Sequence, residues 1–173
     1  MGNPMLDRSK VNHLVRMLIR EIEPQITWLR IAVANRPAEA LREVEFKAFL
    51  TWTLINLNDA LSLLDSDDRR VSDTGENIEK HGKEGDLTSL IRAARNVVCH
   101  IQSPLSKMGK IVFVRWAFLM EGSQFLLTPD SVAPIIPAGD CAIMFGDIHI
   151  LFNHNIELAI NRVKALAPDP WME

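Results

Sequence analysis

The chain predicts a mainly α-helical fold, one domain over residues 1–173 with a small β insertion before the last helix. Three observations carry that expectation. Apolar residues recur at three- and four-residue spacing through most of the first hundred positions, the pattern of helices with a buried face. Between residues 110 and 145 the recurrence gives way to β-branched and aromatic runs interrupted by Pro129, Pro134 and Pro137. Helical spacing then returns and ends at Pro168.

Taken in order, Asp7 or Ser9 can cap a first helix, in which Val11, Leu14, Val15, Leu18, Ile19 and Ile22 share a side. Pro24 predicts either a kink or two helices in sequence, with Ile26, Leu29, Ile31 and Val33 resuming before Pro37. A second long helix is expected over residues 38–64, carrying Leu41, Val44, Phe49, Leu54, Leu57, Leu61 and Leu64. So many large apolar residues imply burial on more than one face. Residues 65–85 lose the apolar pattern and read as a long mobile loop with at most a short helix at 76–80. Asp86 then caps a central helix. Residues 110–119 and 124–127 read as paired strands around a turn at 121–123, and residues 141–145 as another short strand. A final amphipathic helix is expected from about residue 148, with Leu151, Ile156, Leu158, Ala159, Val163 and Leu166 on its buried side.

Composition narrows the function. Nearly half the residues are apolar and the formal net charge is −3, so the whole molecule does not attract polyanions and RNA binding would need a local basic patch. The two cysteines, Cys99 and Cys141, stand in no ligand spacing and are expected as free thiols. No apolar run is long enough to span a bilayer and the first residues lack a signal-peptide core, so a cytoplasmic protein without membrane association is expected.

The chemistry concentrates in Arg92-Ala93-Ala94-Arg95-Asn96-Val97-Val98-Cys99-His100. On a helix, Leu90, Ile91, Ala94, Val97, Val98 and Ile101 face one way, and Arg92, Arg95, Asn96, Cys99 and His100 form a stripe on the other side. That stripe joins a permanent cation, an amide that donates and accepts, and an imidazole that titrates near neutrality. Asn96 and His100 share a face. Arg95 and His100 are about 140° apart at ordinary helical pitch, so their heads converge only through the arginine stem or a loosened last turn. Pro104 favours such loosening.

The run Arg95-Asn96-Val97-Val98-Cys99-His100 resembles the Arg-x4-6-His motif of the HEPN superfamily. The resemblance is sharp over about a dozen residues and architectural elsewhere, with long helices upstream and one helix downstream. It implies an antiparallel helical bundle. It also implies a metal-independent endoribonuclease in which Arg95 and His100 are the catalytic pair and Asn96 orients them, working as a homodimer with the motif at the interface. Relatives belong to toxin and antitoxin or other defence systems, so a cognate antitoxin or partner protein is implied as well. Other members have lost catalysis and serve as binding or assembly modules. The residue chemistry permits the reaction: a group of near-neutral pKa moves protons and a fixed cation stabilises charge on phosphorus. No cofactor or metal is called for.

Three readings follow: the ribonuclease, a silent binding module of the same fold, and a nucleotide sensor in which Arg92 and Arg95 hold a phosphate. Taken singly, an arginine on a polar face is usually an ion-pair partner, and a histidine in a last turn is often a cap. Asn56 and Asp59 are candidate partners for the stripe, or equally buried polar contacts with no part in chemistry. Arg69, Arg70 and residues 80–83 offer a basic patch or, with their interspersed acids, a solvated loop. His149 and His154 lack the four-residue spacing of two ligands on one helix face, and His81 reads as exposed. Trp28, Trp52 and Trp116 read as core or interface anchors.

Overall fold

The computed structural model describes residues 7–35, 44–75, 78, 85–99, 116–120, 136–138, 140–145 and 148–168. These form a mainly helical protein with a small antiparallel sheet. Helix α1 (Arg8–Asn35) starts where the Asp7 carboxylate accepts the Ser9 amide at 3.0 Å and the Asp7 carbonyl accepts that of Val11 at 3.0 Å. Its buried stripe is Val11, Val15, Ile19, Ile22, Ile26 and Leu29. Burying each such side chain contributes roughly 1.5–3 kcal/mol. Pro24 lies inside α1, which runs through it unbroken. The proline is exposed, and the buried stripe continues in phase from Ile22 to Ile26. Leu14 and Ile31, expected in the core, are instead 45% and 56% exposed because they fall beside that stripe.

Helix α2 (Val44–Ser66) is the central element, packing against α1, against α3 (Leu87–Cys99) and against α4 (Leu158–Leu166). This is the burial on several faces that its composition predicts. Trp28 of α1 packs between Phe46 and Phe49 at ring distances of 6.3 and 5.1 Å, which anchors the α1–α2 seam. Val44 and Trp52 are exposed, while Leu41 and the rest of 38–43 lie outside the described residues. The α2 helix also continues two residues beyond the expected end at Leu64.

The sheet has the order β1–β2–β3, all antiparallel: β1 (Trp116–Met120), β2 (Cys141–Phe145) and β3 (Ile148–Leu151). β1 pairs with β2, Trp116 opposite Phe145 and Met120 opposite Cys141. The expected partner at 124–127 lies outside the described residues. Two corrections follow for the last part of the chain. Ile148–Leu151 is a strand, not the start of a helix, and pairs with β2 from Phe145↔Ile148 to Ala142↔Leu151. The helix begins only after a π-helical turn, Phe152–Glu157, and α4 is correspondingly short. All four residues of β3 are buried, His149 included, so its one polar residue marks no solvent face.

Residues of α1, α2, α3, β2, β3, the π-helical turn and α4 enter one apolar cluster. Among the described residues no helix is long and apolar enough to cross a membrane.

Candidate functional site

The site candidate rides on α3, whose start is fixed by several independent contacts. The Asp86 carboxylate accepts the Ser89 amide at 2.9 Å and the Ser89 hydroxyl at 2.5 Å, as the sequence expects of a capping residue. Gly85 precedes it at φ 66°, a backbone setting that glycine adopts without strain. Arg70 closes a fork on the same carboxylate, Nε to Oδ2 at 2.6 Å and Nη2 to Oδ1 at 3.0 Å, while its Nη1 reaches Asp65 at 2.7 Å. Burial pushes the Asp86 carboxyl up, but the bonds from Arg70 and Ser89 outweigh it and hold it below the usual carboxylate range. The same hydrogen bond to Asp86 raises the Arg70 guanidinium above its ordinary value. Thr88 donates to the Val71 carbonyl at 2.8 Å, and the Leu87 amide to that of Asp73 at 2.9 Å.

Residues 67–75 are thus bound to the fold. Arg69 donates to Asn12 and to the Leu166 carbonyl at the end of α4, and pairs with Asp67 at 2.6 Å; Arg162 closes on Asp73 at 2.7 Å. Arg69 and Arg70 therefore form neither a basic patch nor a solvated face. Their charges are consumed within the molecule. Residues 80–83, including His81, lie outside the described residues.

Along α3 the expected division holds over the described residues except at Val98, which is half-buried like the stripe; Ile101 lies outside the described residues. Leu87, Leu90, Ile91, Ala94 and Val97 are buried, while Arg92, Arg95 and Asn96 are half-buried and Cys99 exposed. The cations on the stripe differ in their partners. Arg92 faces Asp65 at 3.5 Å and joins the Asp65–Arg70–Asp86 chain. Arg95 donates from Nη1 to the Asn96 side-chain oxygen at 3.2 Å, and its buried Nε has no hydrogen-bond partner among the described residues. The structure brings Arg95 and Asn96 together and places Arg92 on an acid. His100 lies outside the described residues. Asn56 donates to the Trp52 carbonyl at 2.9 Å and Asp59 accepts from Asn58 at 3.2 Å, neither bond reaching the stripe.

Elsewhere the histidines separate. His149 is buried in β3, whereas the His154 ring is 58% exposed and its Nδ1 lies 2.7 Å from Asp140 Oδ2. Asp140 is buried and also accepts the backbone amides of Cys141, Asn153 and His154 at 2.7, 2.9 and 3.0 Å. It thereby ties the entry of β2 to the π-helical turn. Sequence reasoning missed this pair, because a strand hairpin separates the two residues and leaves no spacing rule to find. Cys141 is buried, and desolvation, followed by the Asp140 charge, pushes its thiol up to about 12. Among the described residues no group of three or more His, Cys, Asp or Glu is placed to hold a metal ion.

Against known families, curated proteins and solved structures, the chain gives no match.

Proposed function

We propose that this protein is a HEPN-type, metal-independent endoribonuclease working as a homodimer, with Arg95, Asn96 and His100 as its catalytic group. The observation that carries the reading is the contrast among the arginines. Arg30, Arg69, Arg70, Arg92 and Arg162 each stand against a carboxylate, while the described partners of Arg95 and Arg16 are neutral, the Asn96 amide and the Pro168 carbonyl, and of these two only Arg95 stands on the α3 stripe. A guanidinium left with its full charge is what an RNA phosphate requires.

In the proposed reaction His100 takes the proton from the 2′-hydroxyl, whose oxygen attacks phosphorus. The 5′-oxygen leaves and takes a proton from water, the proton on His100 returning to solvent, giving a 2′,3′-cyclic phosphate and a 5′-hydroxyl. Arg95 holds the non-bridging oxygens as charge grows on them, and Asn96 fixes the guanidinium plane. The system class proposed is toxin and antitoxin or related defence, with an antitoxin as the protein partner. The test is expression of the wild type beside His100→Ala and Arg95→Ala, scored for growth arrest and RNA breakdown. The reading expects arrest and cleavage from the wild type and neither from the variants. Equal cleavage by His100→Ala overturns it.

One observation favours a second reading, a silent assembly module of the same fold. Arg92, which the ribonuclease reading would use as a further substrate contact, already faces Asp65, which lowers the local positive charge. A nucleotide sensor built on Arg92 and Arg95 has the same obstacle, since Arg92 must leave Asp65 to share a phosphate.

A further inference from the structure

Helix α1 carries a second apolar face that its own core does not use. Leu14 and Met17 are 45% and 50% exposed, on a side of the helix turned from the buried Val11, Val15 and Ile22. Lys10 and Glu21, both exposed, continue their line, so that Lys10, Leu14, Met17 and Glu21 fall within an arc of about 60°. The row runs about 16 Å along the helix. Among the described residues no side-chain bond or ion pair engages Lys10 or Glu21, whereas Glu23 and Arg30, farther along α1, are closed on Lys164 and Glu157. Arg16 and Arg20 stand to the side of the row and take no part in it.

The spacing of the row is four, three, four, which reads the same in both directions. Turned end for end about a two-fold axis, a second α1 sets Leu14 against Met17 of the second copy and Lys10 against Glu21 of the second copy, each contact made twice. Four apolar side chains meet in the middle and an ion pair closes each end. This is the seam of an antiparallel helix pair. An open hollow of about 440 Å³ beside Leu14, bounded by Ser9, Lys10, His13 and Arg16, gives the flexible Met17 side chain of the second copy room to settle. A parallel pair would instead set lysine on lysine and glutamate on glutamate. A polynucleotide would meet Glu21 and leave Leu14 and Met17 uncovered. The row complements its own reverse in both charge and apolar surface, and that selects the occupant. We propose that two copies of this protein associate through an antiparallel α1–α1 contact, on a different helix from the α3 stripe.

The test is cross-linking of the full chain in a Cys99→Ser background, which removes the exposed native thiol. Lys10→Cys and Glu21→Cys are made in separate chains and treated, singly and mixed, with a bis-maleimide shorter than the ~16 Å that separates like positions in the antiparallel pair. The inference expects cross-linked dimer from the mixture and at least about tenfold less from either variant alone. Met17→Glu, at an exposed position clear of the core, puts a charge into the seam twice per pair and is expected to lower the yield of the mixture about tenfold or more at the same protein concentration. Three results overturn the inference: cross-linking of the single variants but not of the mixture, which would make the pair parallel; no cross-link in any sample, which would leave the face to a different partner; or a yield unchanged by Met17→Glu, which would put the contact elsewhere. Cleavage is read on α3 and the cross-link on α1, so this inference and the ribonuclease reading can fail separately.

Discussion

The two ends of α3 are built differently. At its start Asp86, Ser89, Thr88 and the Arg70 fork hold the helix through contacts reaching as far as α2 and the Val71–Asp73 backbone. Toward its end Arg95 has one described bond, to its own neighbour Asn96, and Cys99 is exposed. The difference teaches how one short helix can be fixed at one end and leave polar groups at the other. Rigidity comes from the capped end, and the proposed chemistry falls at the end where the described bond of Arg95 is to its own neighbour.

The contrast breaks most visibly if the fixed end is removed. Asp86→Ala strands the Arg70 guanidinium and removes the cap, and is expected to cost roughly 3 kcal/mol in urea denaturation. A loss below ~1 kcal/mol would mean that the start of α3 is held by apolar packing alone. The two thiols sharpen the comparison next. Cys141, buried with its thiol pushed up to about 12, is expected to react with iodoacetamide at least about a hundredfold more slowly than exposed Cys99 until the protein unfolds. Comparable rates, read by peptide mass spectrometry, would contradict the packing of β2.

Acid supplies a third test. Because the Asp86 carboxyl is held below its ordinary value, the folded state is favoured while that group is ionised. Its contribution is fully present above the unfolded carboxylate value, near pH ~4, and lost as pH falls through the lower folded value. Urea midpoints of Asp86→Asn should therefore fall less steeply with acid than those of the wild type; parallel curves would remove Asp86 from the account. The smallest effect is expected at Arg92→Ala, within about 0.5 kcal/mol, since its pairing with Asp65 is long and 40% of the side chain is exposed.

What the sequence revealed follows the same physical line. Apolar periodicity located α1, α2 and α3 because each buries a stripe along its own length, and Asp86 was legible as a cap because its partner is only three residues away. Partners at a distance leave no such trace: Arg70 and Asp86 are 16 residues apart, Arg69 and Asn12 57, and Arg162 and Asp73 89. For that reason the charged segment after α2 reads as a loose loop in sequence, while residues 67–75 are bound in the structure. Pro24 admits either a kink or two helices in sequence, and one helix, Arg8–Asn35, runs through it, because the buried stripe continues on both sides. A signal for the β2–β3 hairpin was present in the two-residue Gly146-Asp147 spacing between apolar runs. Uniform burial of β3 hid it. At the site, the placement of Arg92, Arg95, Asn96 and Cys99 off the buried face was legible. The Arg92–Asp65 contact was not, since it joins two helices.

The most direct test of the open-end account is cleavage of a single-stranded oligoribonucleotide in excess chelator by wild type and Arg95→Ala, with urea midpoints measured on the same samples. The account predicts 2′,3′-cyclic phosphate ends from the wild type, a rate lower by about a hundredfold or more in the variant, and matching midpoints. An inert wild type, or a variant that cleaves at the wild-type rate, would contradict it.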